Sequence, residues 1–373
     1  MQANELRFYL ALYFAPGIGA RRLIALREYF GSAERAMHAS KSELERVQGL
    51  GASTATAIIE QRSEMLEQAE SQILKVVGSQ QIITYFDELY PEQLKSIYDP
   101  PAVLFTDGDP ALLTCDKGIA VIGSRRITDY GKQSVRTLCT DLVQEGVTVI
   151  SGFARGIDTA AHTATFEAHG KTIAVLGSGV DVIYPTNNKS FARELVTSGL
   201  GLLVSELPHG TPPDARNFPW RNRIVSGLAQ GVVIVESDEK GGSMITAALA
   251  LDQNREVFAF PGDTTRPMSS GPNYLIRESR ARLARNATDI LSDMGWINTG
   301  RPKKSEKRGP RTDLSLFENR IVSVLEESGG PLQIDALAER AEIEVQDMLF
   351  HLLQLEFKSV IRQLAGKQFM LLN

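Results

Sequence analysis

Four short runs of this 373-residue chain combine arginine or lysine with glycine or an aromatic residue. They are Gly123-Ser124-Arg125-Arg126, Gly152-Phe153-Ala154-Arg155-Gly156, Phe218-Pro219-Trp220-Arg221-Asn222-Arg223 and Lys240-Gly241-Gly242-Ser243. Glycine lets a backbone come close to a ligand, and a guanidinium fork grips phosphate at two points. A helix that starts after such a turn aims free N–H groups at an anion. Together these residue types hold phosphate. Phe153, Tyr184, Phe218 and Trp220 fall in the same turns, and a positive groove with aromatic faces is how single-stranded nucleic acid is held. The plainer use of Phe218 and Trp220 is to anchor the helix they open in the core, and one of the two is expected to serve that way.

Other chemistries lack their residues. No run reads G-x-G-x-x-G or G-x-x-x-x-G-K-[ST], and there is no H-E-x-x-H or Cys/His cluster, so no cofactor, no metal and no catalytic group is expected. The five histidines are scattered; His162, in Asp158-Thr159-Ala160-Ala161-His162, reads as a helix residue with a hydrogen bond, and Asp158 as that helix's N-cap. Cys115 and Cys139 form no disulfide framework, which fits a reducing cytoplasm. The apolar run from Phe8 to Ala15 is a poor secretion signal, and no run is long enough for a membrane span.

Elements that position the four runs follow from the pattern around them. Short β-branched stretches at Ile119–Ile122, Val147–Ile150, Ile173–Leu176, Leu202–Val204, Val232–Val235 and Val257–Phe260 read as strands buried on both faces. Helical periodicity lies between them, near 130–145, 158–169, 188–198, 219–229 and 243–254. This is a doubly wound α/β domain with a mostly parallel sheet, expected over 118–296, and ligands bind such sheets beyond the carboxyl ends of the strands. Every one of the four runs falls there.

Charge is unevenly spread. The formal net charge is -5, from 40 Lys+Arg against 45 Asp+Glu, which excludes a uniformly basic coat for nucleic acid. Residues 1–75 and 118–296 are each neutral, 76–117 is an acidic connector expected to pack on the next domain, and 312–373 is acidic. The stretch 297–311, with six bases and one acid, reads as a solvated basic linker. In 1–75 two turns, Gly17-Ile18-Gly19 and Gly49-Leu50-Gly51, join helices and resemble helix-hairpin-helix (SAM-like) motifs; they fit the holding of a DNA backbone and equally fit simple helix connections. Residues 316–373 read as three helices and a hairpin, winged-helix-like. The third helix opens with Glu342-Ile343-Glu344-Val345-Gln346-Asp347, too acidic for a duplex, so a protein contact or regulatory role is expected.

Longer runs carry a family resemblance. Val121-Ile122-Gly123-Ser124-Arg125-Arg126, Ser151-Gly152-Phe153-Ala154-Arg155-Gly156-Ile157-Asp158, Phe218-Pro219-Trp220-Arg221-Asn222-Arg223-Ile224, Gly242-Ser243-Met244-Ile245-Thr246-Ala247 and Gly271-Pro272-Asn273-Tyr274 resemble, in order, the DprA/Smf family (DNA-processing protein A). The chain departs from the family at Gly241, where serine is usual, and at Ser279-Arg280, where Gly-Ala is usual. The resemblance implies a Rossmann-like fold and a single-stranded-DNA-binding protein of natural transformation that protects incoming strands, forms a homodimer through the Rossmann-like domain and helps load the RecA recombinase. It places the DNA contacts at Gly123, Ser124, Arg125, Arg126, Gly152, Arg155, Gly156, Phe218, Arg221, Asn222, Arg223 and Lys240.

Two enzyme readings stand beside it. A phosphoribohydrolase acting on nucleotides would use a turn similar to Lys240-Gly241-Gly242-Ser243, but its acid is missing at Leu249; Glu206 or Glu236 is the available substitute, unless each only orders a turn. A dinucleotide oxidoreductase lacks its glycine fingerprint.

Overall fold

A computed structural model describes residues 3–297 and 314–371, apart from 329, 331, 342, 359 and 365–367. Most of the basic linker and Glu342 therefore lie outside the described residues. Residues up to 297 form one compact unit and those from 314 a second.

The first unit begins with six helices, α1 (Ala3–Tyr13), α2 (Ala20–Phe30), α3 (Ala33–His38), α4 (Lys41–Leu44), α5 (Ala52–Glu60) and α6 (Arg62–Leu74). Gly17 and Gly49 take φ of +78° and +85°, which turns the chain tightly before α2 and α5. The core of these helices, Tyr9, Leu10, Leu12, Leu26 and Met37, runs on into Phe105, Ala174 and Leu203 of the sheet. Next come β1 (Gln80–Thr84), α7 (Glu92–Lys95) and β2 (Val103–Gly108), so the acidic connector contributes two strands that sequence reading had not assigned.

Beyond them strands and helices alternate: β3 (Gly118–Ile122), α8 (Asp129–Gln144), β4 (Thr148–Ser151), α9 (Ile157–Glu167), β5 (Thr172–Val175), α10 (Lys189–Thr197) and β6 (Gly201–Ser205). The second half runs α11 (Asn217–Gly227), β7 (Gly231–Ile234), α12 (Gly242–Asp252), β8 (Glu256–Ala259), α13 (Ser270–Arg277), β9 (Arg282–Leu283) and α14 (Ala287–Asp293). All six strands expected from sequence are present within a residue or two. The sheet order is β1-β2-β6-β5-β4-β3-β7-β8-β9, parallel from β6 to β9 and antiparallel at β1 and β2.

Alternation along β3 explains the layers. Ala120 and Ile122 face Ile224, Val225 and Ala247 of α11 and α12, whereas Ile119 and Val121 face Val135, Leu138 and Ala161 of α8 and α9. The chain winds from β3 toward β6 on one side, then returns to β7 on the other. β3 and β7 are thus neighbours at a switch point, where a crevice opens beyond their carboxyl ends.

The second unit contains α15 (Leu316–Ser328), β10 (Leu332–Gln333), α16 (Ile334–Ala341), α17 (Val345–Phe357), β11 (Ile361–Leu364) and β12 (Gln368–Leu371). The three strands pair in the order β10-β12-β11, and Ile321, Leu325, Leu337, Met348, Leu352 and Leu355 fill a separate core. This is the winged-helix arrangement that its sequence implies.

Candidate nucleic-acid interface

The crevice at the switch point holds a cavity of about 660 Å³. Eight of the twelve expected contact residues line it: Gly123, Ser124, Arg125, Arg126, Gly152, Phe218, Arg221 and Asn222. Gly241, Gly242 and Ser243 at the start of α12 form another wall, so the helix's free N–H groups open onto the cavity.

Close approach explains the glycines. The turn after β3 is tied down by Ser124 N donating to Glu236 O at 2.7 Å and by Arg126 N donating to Ser124 Oγ at 3.0 Å. A Cβ on Gly123 would sit 2.6 Å from Ile157 Cγ1 and 2.7 Å from Glu236 O. Gly156, at φ +85°, packs behind the same turn: a Cβ there would lie 2.2 Å from Ser124 O. It supports the site rather than lining it.

Arg221 is the organiser of the floor. It is buried, and its Nη1 donates to Gly152 O at 2.5 Å and also to Val175 O, bridging the carboxyl ends of β4 and β5. Asp158 is buried beside it, and a Cβ on Gly152 would lie 2.7 Å from both Arg221 Nη2 and Asp158 Oδ2. Burial pushes the Asp158 carboxyl up to about 6, against the pull of Arg221. Burial likewise lowers Arg221 to about 10, with Asp158 opposing. Gly156, not Asp158, holds the cap position of α9; Asp158 sits in the first turn and faces the cavity. That corrects the capping role expected for it.

The exposed charges of the lining are Arg125, Arg126 and Asp238. Arg125 Cζ lies 5.5 Å from the Phe218 ring centre and Arg221 Cζ lies 5.9 Å from it. The Tyr184 ring is 5.6 Å from the Phe218 ring and 45% exposed, so the two make an aromatic ledge at the cavity rim. Gly177 makes room for it, since a Cβ there would meet Phe218 Cδ1 at 2.9 Å.

Four expected contacts lie elsewhere. Arg155 and Lys240 are exposed outside the cavity wall, and Gly156 is behind it. Arg223 faces away: it is buried, its Nη2 donates to Glu206 Oε1 at 2.6 Å and its Nε donates to Asp99 O at 3.0 Å. Its guanidinium also stacks on Trp220, 4.5 Å from the ring centre. Arg223 is therefore a structural clamp, which corrects its assignment as a strand contact. Neither aromatic that opens α11 is a core anchor, because Phe218 is half-buried in the cavity wall and Trp220 is 55% exposed. Phe153 is fully buried against Phe191 and His162 and offers no face to a base.

His162 is buried with Nδ1 2.7 Å from Thr172 Oγ1, and burial lowers it to about 3, as a neutral helix histidine requires. Glu236 accepts from Thr128 N at 3.0 Å and from Thr128 Oγ1, at the N-terminus of α8, and Glu206 holds Arg223 and Trp220 Nε1. Both glutamates order turns and neither lines the cavity. Sequence reasoning missed Ile245, Thr246 and Met268 of the wall. Ile245 and Thr246 follow the glycine-rich start of α12 by about one turn, which is the signal that could have found them.

Comparison with known proteins places the chain in a family. Residues 81–295 match the family of DNA recombination-mediator protein A, residues 10–64 a SAM-like helix-hairpin-helix tandem, and residues 305–367 the DprA winged helix domain. Protein Smf of Escherichia coli (strain K12) is 40% identical over 284 residues, 75% of this chain and 74% of that protein. DNA processing protein DprA of Bacillus subtilis (strain 168) is 45% identical over 205 residues, 55% of this chain and 68% of the other. The X-ray structure of DNA processing protein A from Streptococcus pneumoniae matches with a TM-score of 0.68 at 32% identity, covering 79% of this chain and 99% of that one. DNA processing protein A from Helicobacter pylori, solved for its single-stranded DNA binding mode, matches with a TM-score of 0.52 at 33% identity, covering 57% and 95%. With the family match spanning more than half the chain and the glycine–arginine turns gathered at one crevice, this chain belongs to the DprA/Smf family of DNA recombination-mediator proteins.

Proposed function

We propose that this chain binds single-stranded DNA in the crevice between β3 and β7, protects incoming strands and helps to load the RecA recombinase in natural transformation. The observation that carries the reading is the juxtaposition of Arg125 with the Phe218–Tyr184 ledge over a floor fixed by Arg221. A phosphate at Arg125 and Arg126 leaves its base within reach of the ledge, and the apolar wall of Ile245 and Met268 suits a base that has left a stack. Binding of this kind needs no reacting group, so the chain acts as a cytoplasmic binding protein rather than an enzyme. A homodimer formed through the Rossmann-like body would set two such crevices on one strand. The related protein from Helicobacter pylori, with its single-stranded DNA binding mode, supports the substrate class.

The test is Arg125→Ala combined with Phe218→Ala, measured by single-strand affinity across a salt series. Loss of stacking is worth about 1–3 kcal/mol and loss of one phosphate contact makes the salt slope shallower by about 0.7. Unchanged affinity and slope would place the strand elsewhere. Release of free base from a nucleoside monophosphate would instead support the hydrolase.

A further inference from the structure

Trp220 and Tyr98 are large aromatic rings left at the surface, 55% and 83% exposed, and the crevice uses neither. Both stand on the sheet edge that contains it. Trp220 lies in the first turn of α11, and exposed Pro219, which does line the cavity, sits between it and Phe218. Strand β2 runs antiparallel to β6 with Phe105 opposite Ser205. The chain entering β2 therefore brings Tyr98 and Asp99 to the carboxyl end of β6, where Glu206 follows.

Arg223 ties the two rings together. Its guanidinium lies 4.5 Å from the Trp220 ring centre, donates to Glu206 Oε1 at 2.6 Å and donates to the carbonyl of Asp99, the neighbour of Tyr98. Glu206 also accepts from Trp220 Nε1 at 3.1 Å, so the indole is fixed with more than half its surface free. On the far side of Tyr98, Arg21 Cζ of α2 lies 4.5 Å from the ring centre. Tyr13 Oη donates to Glu206 O at 2.9 Å, which brings the end of α1, and with it the turn into α2, to the same edge. Arg21 and Arg22 are exposed, and among the described residues neither pairs with a carboxylate.

We propose that this edge is a second station for single-stranded DNA: bases beyond those in the crevice pass over Pro219 and stack on Trp220 and Tyr98, and the backbone that follows meets Arg21 and Arg22. The proposal rests on the reading of the crevice as a single-strand site. Aromatic faces interleaved with guanidinium groups hold a strand without reading its sequence, because every base has a face to stack. Tryptophan, tyrosine and arginine also anchor protein interfaces. Continuity with the cavity wall through Pro219 and the two unpaired cations decide for the strand.

The experiment uses the full chain carrying Trp296→Phe, in which Trp220 is the remaining tryptophan. Oligothymidylates are lengthened stepwise. Those that fill only the crevice should leave Trp220 emission unchanged, and longer ones should quench it by stacking. Tyr98→Ala should weaken the long strand about fivefold or more and leave the short one as it was. Arg21→Ala should make the salt slope shallower by about 0.7 for the long strand alone. Both positions are exposed, so thermal melting should match the parent, and the Trp220 signal is read with the Arg223 clamp intact. Unchanged emission with long strands overturns the proposal, as does a Tyr98→Ala chain whose long-strand and short-strand affinities keep the parent's ratio; a protein-contact surface gives both results. The crevice reading fails by a different result, unchanged short-strand affinity in Arg125→Ala with Phe218→Ala, and Trp220 emission with long strands still decides this one.

Discussion

The crevice of the body and the ridge of α17 are the two places where these folds usually meet nucleic acid, and they are made of opposite materials. The crevice is lined by Arg125, Arg126 and Arg221 with glycines at every close approach. The ridge, made by exposed Val345, Leu349, Leu353 and Phe357, offers leucine, valine and phenylalanine, with Glu344 and Asp347 at its N-terminal end. Fold alone would nominate both as DNA sites; the side chains favour the crevice. The crevice also spends burial differently, setting Arg221 beside buried Asp158 under its floor, while the module buries Glu318 against Lys358 at 2.9 Å and leaves its surplus apolar residues outside. A binding site for a flexible anion needs a rigid floor.

The largest effect expected from breaking this contrast is at Arg221. Replacing it with alanine leaves the Gly152 and Val175 carbonyls without their buried donor, which costs about 1–3 kcal/mol of folding stability for each. Arg125→Ala, at an exposed position of the same site, should stay within about 0.5 kcal/mol. Urea midpoints for the two variants check this. Equal midpoints would mean that Arg221 is a ligand contact and not the floor.

Arg221 and Arg223 of α11 also show what sequence could and could not deliver. Strands were legible because Ile119–Ile122 and its counterparts are β-branched and buried on both faces. Strands β1 and β2 were not, because they lie among acids and turns in 76–117 and pair antiparallel at an edge. Arg221 and Arg223 stand two apart on one helix, about 200° around it, so one must turn inward when the other turns away. Sequence counted both as contacts. Only the partners Glu206 and Asp99, far off in the chain, decide which is the clamp. Asp158 was hidden for the same reason: its role depends on Arg221, 63 residues later.

A smaller effect is a pH dependence, and its sign is worked from two buried groups of the body. His162, lowered to about 3, stabilises the fold fully above its unfolded value near 6.5, and that contribution is lost as pH falls toward 3. Asp158, raised to about 6, acts the other way: its contribution is full below about 3.9 and lost as pH rises through 6. Between pH 4 and 6 the two slopes oppose. Asp158→Asn removes one of them, so its stability should climb with pH more steeply than the parent's by about 1.4 kcal/mol per unit in that window. Chemical denaturation at pH 4, 5 and 6 measures the difference. Parallel curves would show that Asp158 is not held in its protonated form by burial.

The smallest expected effect is the one that tests the contrast most directly. Leu349→Lys and Leu353→Lys together give α17 the two cations that its ridge lacks. If the module met DNA in the parent protein, such a change would strengthen an existing contact and steepen the salt dependence of binding by about 0.7–0.9 per added phosphate contact. With the strand held in the crevice instead, affinity for a single strand short enough to fill only that cavity should move by less than about twofold, and the salt slope should stay put. Fluorescence anisotropy on a short oligonucleotide at several salt concentrations reads both quantities. A clear gain in affinity with a steeper slope would mean that α17 lies along the strand's path, and the two regions would then be halves of one interface.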